Sequence, residues 1–149
     1  MLAAGEVRLL TEPDLAAVFA IEQTVHSTNW NINAYKFELS RPQSVCSGVF
    51  VDEELAAFVI AYCLAPELHI QDIVTKGGFQ RRGYASKLLN FVISLSRDRG
   101  AHSAFLEVRE GNQPAINFYT RHKFSKYSRR LDYYGKGQNA WLMKMTFPN

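Results

Sequence analysis

The chain has 149 residues, enough to bury one substantial core, and its 47% hydrophobic and 21% charged residues are the balance of an ordinary globular protein. A formal charge of +3 is mild: it suits an anionic small ligand or occasional contact with a ribonucleoprotein, and does not by itself indicate direct nucleic-acid binding. No apolar run approaches the roughly 20 residues that span a bilayer, and Met1 to Glu6 has no basic region ahead of an apolar stretch, so the expectation is a cytoplasmic protein without membrane contact.

In chain order, Val7-Arg8-Leu9-Leu10 reads as a short first strand. Thr11-Glu12-Pro13-Asp14 resembles a capping box with proline in the first turn. Leu15, Val18, Phe19 and Glu22 follow at helical spacing, which predicts a helix from about Pro13 to Val25. His26 to Asn31 is a loop centred on Trp30, and a second helix is expected over Ile32 to Leu39, with Pro42 ending the region. Val45 to Val51, Leu55 to Leu64 and Glu67 to Thr75 read as three strands of an antiparallel meander, the first two joined by the acidic turn Asp52-Glu53-Glu54.

Lys76-Gly77-Gly78 breaks the third strand, and a helix begins after Gln80-Arg81-Arg82-Gly83-Tyr84-Ala85 and runs to Gly100. Ala85, Leu88, Leu89, Val92 and Leu95 recur at three- and four-residue steps, an apolar face for packing on a sheet. A strand, a glycine turn and a helix start aim unpartnered backbone N–H groups at one point, a natural anion site. Gly83 allows close approach to the backbone, and Arg81 and Arg82 add fork-shaped donors. The hexapeptide alone is equally well a glycine-bearing turn flanked by two solvated arginines. It is neither a P-loop nor the dinucleotide Gly-x-Gly-x-x-Gly pattern.

Ala101 to Val108 is the next strand, reached by a crossover long enough for parallel pairing. Asn112 caps a helix with Pro114 in its first turn and Ala115, Phe118 and Tyr119 along one face. Phe124 to Leu131 and Ala140 to Phe147 close the sheet around the polar loop Gly135 to Asn139. The fold class is therefore α+β: a single domain over residues 1–149, with a mixed, mostly antiparallel sheet of six or seven strands and helices on both faces.

Taken alone, Glu107 in Phe105-Leu106-Glu107-Val108 is a solvated strand residue or a working carboxylate, and Tyr119 a half-buried core tyrosine. Cys46 and Cys63 lie in apolar segments and read as reduced strand fillers. His26, His69, His102 and His122 are not at metal-ligand spacing with one another or with a cysteine pair, so no metal is expected.

In combination these segments resemble a known family. The Gln80–Ala85 turn resembles the Gln/Arg-x-x-Gly-x-Gly/Ala signature of the GNAT N-acetyltransferase superfamily. Leu106-Glu107-Val108-Arg109-x-x-Asn112-x-x-Ala115-x-x-x-Tyr119-x-x-x-x-Phe124 is similar to the second half of that fold, more narrowly to the ribosomal-protein-alanine N-acetyltransferases (RimI type). His26-x-x-x-Trp30 and Arg130-x-x-Tyr133-Tyr134 match two further motifs of that branch, and the resemblance spans about residues 7 to 146. Three positions depart from the pattern: Thr75-Lys76-Gly77 stands in place of Val-Asp-Pro, Lys123 in place of a glycine, and Asn139 where an aspartate often precedes the last strand.

The resemblance implies acetyl-coenzyme A as cosubstrate, with its diphosphate on Arg81, Arg82, Gly83, Tyr84, Ala85 and Ser86, its thioester arm along Ile73, Val74 and Thr75, and a further contact at Asn112. It implies Glu107 as general base, Tyr119 as general acid, a backbone N–H beside Val74 for the oxyanion, and Trp30, Tyr133 and Tyr134 around the acceptor. The implied partner is the N-terminal alanine of a small-subunit ribosomal protein, and the enzyme is expected as a monomer or weak dimer. Alternatives within reach of the sequence are acetylation of a lysine or small amine, or a non-catalytic acyl-coenzyme-A-binding domain.

Overall fold

The computed structural model describes residues 5–25 and 31–148. The His26–Trp30 segment, including the acceptor residue expected at Trp30, lies outside the described residues. The elements are β1 (Glu6–Leu9), a 3-10 turn (Glu12–Asp14), α1 (Leu15–Val25), α2 (Ile32–Ser40), β2 (Ser47–Val51), β3 (Glu54–Leu64), β4 (Glu67–Thr75), α3 (Tyr84–Asp98), β5 (Ser103–Arg109), α4 (Gln113–Arg121), β6 (Ser125–Gly135) and β7 (Gln138–Thr146). They form an open seven-stranded sheet in the order β1-β2-β3-β4-β5-β7-β6. All neighbours are antiparallel except β4 and β5.

The alternation of side chains along each strand divides two cores. On one face, Ala57, Val59 and Ala61 of β3, Leu68 and Ile70 of β4 and Leu106 and Val108 of β5 pack with Leu88, Leu89 and Val92 of α3 and Ile116 of α4. On the other, Phe58 and Ile60 of β3 and Val74 of β4 pack with Leu15, Val18 and Ile21 of α1 and Tyr35 of α2. Helices thus cover both faces. Cys46 and Cys63 are buried free thiols. Among the described residues no helix is long and apolar enough to cross a membrane.

Several boundaries differ from the sequence expectation for identifiable reasons. The helix expected from Pro13 starts as α1 at Leu15, because the capping residues close a separate 3-10 turn first. There Asp14 accepts from the Thr11 N–H at 2.7 Å and forms a two-pronged pair with Arg8 at 2.8 and 3.0 Å. The Arg8 guanidinium also lies 3.9 Å from the Phe50 ring centre, which ties β1 to β2 and to the start of α1. The last hairpin is tighter than expected. β6 continues past Leu131 to Gly135, so Tyr133 and Tyr134 are strand residues and the turn is Lys136-Gly137. The chain gets past the turn-forming Asp132 by placing it at φ +56, in an irregular stretch of pairing between Arg130 and Gly135.

The end of α4 explains how a lysine replaces the expected glycine. Lys123 sits at φ +74, the left-handed position after a helix. Its N–H bonds Thr120 O at 3.1 Å, and the Phe124 N–H bonds Tyr119 O at 3.0 Å, the double closure of a Schellman motif. The Phe124 and Tyr119 rings meet edge to face, 5.6 Å apart, as the apolar contact of that motif. The motif therefore fixes Tyr119, and Lys123 carries the cost of a left-handed residue with a side chain. Lys123→Gly is expected to raise stability by about 1 kcal/mol, the usual left-handed penalty less the entropy of a glycine. Chemical denaturation checks this: the midpoint should rise at constant slope.

Candidate active site

The site begins where the parallel pair ends. β4 and β5 are in register from Glu67/Ser103 to Ile70/Leu106 and no further, although β4 runs on to Thr75 and β5 to Arg109. Past that rung β4 stays with β3, and β5 stays with β7. A bulge contributes to the divergence: Ile60 of β3 faces Asp72, and the next residue, Ala61, faces Ile70, leaving Gln71 as the extra residue. The extra residue shifts the alternation, so that His69 and Asp72 both face the α1–α2 side. The sequence carried this signal as a slip in the apolar pattern, from Leu68 and Ile70 to Ile73 and Val74 with Gln71-Asp72 between.

Glu107 is the first β5 residue beyond the last parallel rung, and is exposed between the buried Leu106 and Val108. It therefore points to the α1–α2 face. Tyrosines surround it. Its charge acts on Tyr127, Tyr133 and Tyr134 and holds each hydroxyl above its ordinary range, after the larger effect of burial. Tyr134 also feels Tyr133 and Asp72 and is pushed up to about 12, although the Arg109 guanidinium 4.2 Å from its ring centre acts the other way. Tyr133 and Tyr134 meet edge to face at 4.9 Å. Away from the cleft an aromatic row crosses the same face: Tyr62 on His69 at 4.9 Å, His69 on Phe105 at 5.8 Å, and Phe105 against Tyr127 at 6.0 Å. Arg41 closes one end, 3.8 Å from the Tyr62 ring centre.

Tyr119 approaches from the opposite layer. It is 8% exposed, more buried than the sequence suggested. Burial pushes its hydroxyl well up, and the charges of Asp72 and Tyr134 push in the same direction. A group on α4 senses Asp72 on the far face because the strands between them have separated. Its proton stays on the oxygen throughout the neutral range, available to a departing base.

The turn expected to hold an anion is open at its backbone. Gly83 caps α3 at φ +79 with no atom within 4 Å of where a Cβ would lie, and Gly78 is equally open at φ +92. Arg81, at φ +64, and Arg82 are exposed beside it. The first backbone bond into the helix is Lys87 N–H to Gly83 O at 3.0 Å, so Tyr84, Ala85 and Ser86 N–H groups precede the intrahelical ladder. The Tyr84 ring is partly buried against the core, and the Ser86 hydroxyl is 2.9 Å from His122 Nε2. Ile73, Val74 and Thr75 lie on the stretch of β4 that β5 has left. Asn112 caps α4, its side-chain oxygen accepting from the Ala115 N–H at 3.3 Å. Among the described residues there is no group of three or more His, Cys, Asp or Glu placed to hold a metal.

The residues singled out from the sequence thus divide into a cradle at the start of α3, a cleft between β4 and β5, and a tyrosine-lined mouth holding Glu107. Reasoning from the sequence missed Asp72, Gln71 and Tyr127. Asp72 was detectable as an acid inside an apolar strand, whereas nothing in the sequence set Tyr127 apart from other strand tyrosines.

An open helix start beside a split between central strands is a site shape suited to an anionic ligand. The family model for the acetyltransferase (GNAT) family matches residues 13–124, and the chain belongs to that family as an acetyl-coenzyme-A-dependent N-acetyltransferase. It is 30% identical over 132 residues to the [ribosomal protein bS18]-alanine N-acetyltransferase of Salmonella typhimurium, covering 89% of this chain and 88% of that protein. The crystal structure of the ribosomal-protein-S18-alanine N-acetyltransferase from Escherichia coli superposes with a TM-score of 0.89 at 25% identity, over 98% of this chain and 96% of that one. Arabidopsis thaliana NAA60, in complex with acetyl-CoA, has the same fold, with a TM-score of 0.87 at 20% identity over 97% of this chain and 99% of that one.

The cradle generates a direct test. Gly83→Glu puts an anion where a diphosphate would sit. It should weaken coenzyme A binding more than ~10-fold through like-charge repulsion, while circular dichroism remains that of the folded enzyme. Unchanged affinity in calorimetry would move the phosphate site elsewhere.

Proposed function

We propose that the enzyme, one acetyltransferase domain throughout its 149 residues, transfers acetyl to the N-terminal alanine of a ribosomal protein in the cytoplasm. The observation that carries this reading is the parting of β4 and β5, with Glu107 on one side of the opening and Tyr119 on the other. Names and folds of the relatives support the N-terminal acceptor, and the tyrosine-lined mouth supports a peptide end entering from the α1–α2 face.

Acetyl-coenzyme A, when bound, supplies an activated acyl group with a good leaving thiolate. Arg81, Arg82, Gly83 and the Tyr84, Ala85 and Ser86 N–H groups hold its diphosphate, with Asn112 as a further contact at the start of α4. The separated edge of β4 at Ile73, Val74 and Thr75 offers backbone groups without a strand partner on that side. An amide-bearing arm can pair with them as a strand would, and an N–H beside Val74 can stabilise an oxyanion. Glu107 takes a proton from the acceptor amine, directly or through water, and the Tyr119 hydroxyl returns a proton to the departing sulfur. Burial raises the tyrosine pKa, so its hydroxyl is protonated in the neutral range and can donate when the thiolate departs. Tyr133 and Tyr134 line the acceptor path, with Trp30 as the remaining expected contact.

The acceptor follows from the chemistry of amines. Only a neutral amine attacks, and near pH 7 an α-amine is neutral about a few hundred times more often than a lysine. The decisive experiment compares two peptides of one sequence, one starting with free alanine, the other blocked at its N-terminus and carrying an accessible lysine. The free-alanine peptide should react faster, and Glu107→Gln should slow it and alter its pH dependence. Faster acetylation of the blocked peptide would transfer the assignment to lysine.

Tyr119→Phe tests the acid. Turnover should fall by ~10²–10⁴-fold, with coenzyme affinity nearly unchanged. A single-turnover rate equal to that of the unaltered enzyme would remove the role.

A further inference from the structure

Behind the mouth lies a group of polar residues that the acetyl transfer described above does not use. Glu22 of α1 and Tyr35 of α2 have no exposed surface, and Asp72 of β4, partly exposed, stands beside the cleft. Glu22 is hydrogen-bonded to Asp72, and its charge also acts on Tyr35. Asp72 and Glu107 face the same side of the sheet from opposite walls, each just past the last rung joining β4 to β5. The hydroxyls of Tyr119 and Tyr134 both feel Asp72, so its carboxyl lies within electrostatic reach of the opening.

We propose that Asp72, hydrogen-bonded to Glu22 behind it, is a positioning residue that holds the positive charge of the acceptor amine opposite Glu107. The proposal rests on the amine-acceptor reading and adds a second acid to it. Two carboxyl groups hydrogen-bond each other only when one is protonated, so the pair carries one negative charge at neutral pH. Burial, then the nearby Glu22, push the Asp72 carboxyl well up, as expected of an acid that shares a proton with its neighbour. A cation arriving at the mouth favours the arrangement with the shared proton on the Glu22 oxygen and the negative charge on Asp72, the wall that faces the amine. No atom enters or leaves the pair. Among the described residues, the other ionisable groups on the elements around it include Tyr35 and the Arg41-paired Glu38 of α2, Glu107 and Arg109 of β5, Tyr119 of α4, and Tyr133 and Tyr134 of β6.

Two near-isosteric variants separate this role from simple packing, because they fix the charge at opposite ends. In Asp72→Asn the new amide donates to Glu22 and the charge stays deep. In Glu22→Gln the amide donates to Asp72 and the charge stays at the mouth. With a free-alanine peptide, Asp72→Asn should raise the acceptor KM by about tenfold, the effect of moving a unit charge a few ångströms away at intermediate dielectric. Glu22→Gln should leave the acceptor KM unchanged or lower it, and neither should alter the KM for acetyl-coenzyme A. Equal acceptor KM values in both variants would overturn the proposal while leaving the acceptor reading in place. Failure of the unaltered enzyme to acetylate any free-amine peptide would overturn the reading itself, and the proposal with it.

Stability against pH supplies the second measurement. A carboxyl raised in the folded state favours folding below its unfolded value of about 3.9 and loses that contribution as pH climbs toward the raised value. The unaltered enzyme should therefore lose stability over this rise, and Asp72→Asn should lose less. Equal slopes would mean that no proton is shared, and the proposal would fall.

Discussion

The active cleft depends on a competition between strand partners. β4 and β5 share only the four rungs from Glu67/Ser103 to Ile70/Leu106, while each keeps a full antiparallel partner on its other side. The sheet is therefore two antiparallel blocks, β1–β4 and β5–β7–β6, joined along a short parallel seam. Each block follows its own twist, and the seam opens where the bulge at Gln71 redirects β4. Backbone groups on the freed edge of β4 must find partners outside the sheet. The same divergence brings Tyr119, which belongs to the α3–α4 layer, within electrostatic reach of Asp72 on the α1–α2 face.

The Gly83 turn and Tyr119 are both tied to this seam through the helices beside it. α3 starts at the cradle and packs Leu88, Leu89 and Val92 against the strands that end there. α4 presents Tyr119, and the Schellman closure at Lys123 sets the orientation of its last turn. The two helices meet through Ser86 in the first turn of α3 and His122 at the cap of α4, 2.9 Å apart. Burial, then the neighbouring Arg121, hold the His122 imidazole below its ordinary range, so it is neutral at physiological pH and this contact is a neutral hydrogen bond. The residue pair joins the first turn of α3 to the end of α4, the helix that carries Tyr119.

The fold was largely legible from periodicity. The 3.6-residue pattern of Ala85 to Leu95 and the alternating strands set both layers, and a crossover helix between Glu67–Thr75 and Ser103–Arg109 called for the parallel pair. Glu107, Tyr119 and the Gly83 turn were recognisable through spacing and resemblance. What stayed hidden was long-range. No local rule says that Asp72 meets Glu22, fifty residues earlier in the chain, because that contact depends on α1 lying across β4. The extension of β6 was obscured for the opposite reason. Asp132 and Gly135 are turn-forming locally, and only pairing with β7 makes them part of a strand.

That same hairpin explains the asparagine at position 139. The Asn139 side-chain oxygen accepts from the Asp132 N–H at 2.9 Å, and Asp132 in turn accepts from the Gly137 N–H at 2.7 Å. These two bonds hold the left-handed residue that carries Tyr133 and Tyr134 toward Glu107. An aspartate at 139 could accept from Asp132 equally well, but its second oxygen would face Glu110, to which the Asn139 amide donates at 3.5 Å. Glu110 is already committed to Arg129 of β6, which holds its carboxyl below the usual range. Two carboxylates sharing one exposed arginine would repel at short distance. A neutral amide satisfies the hairpin and the Glu110–Arg129 pair together, so the asparagine at 139 fits the acid at 110.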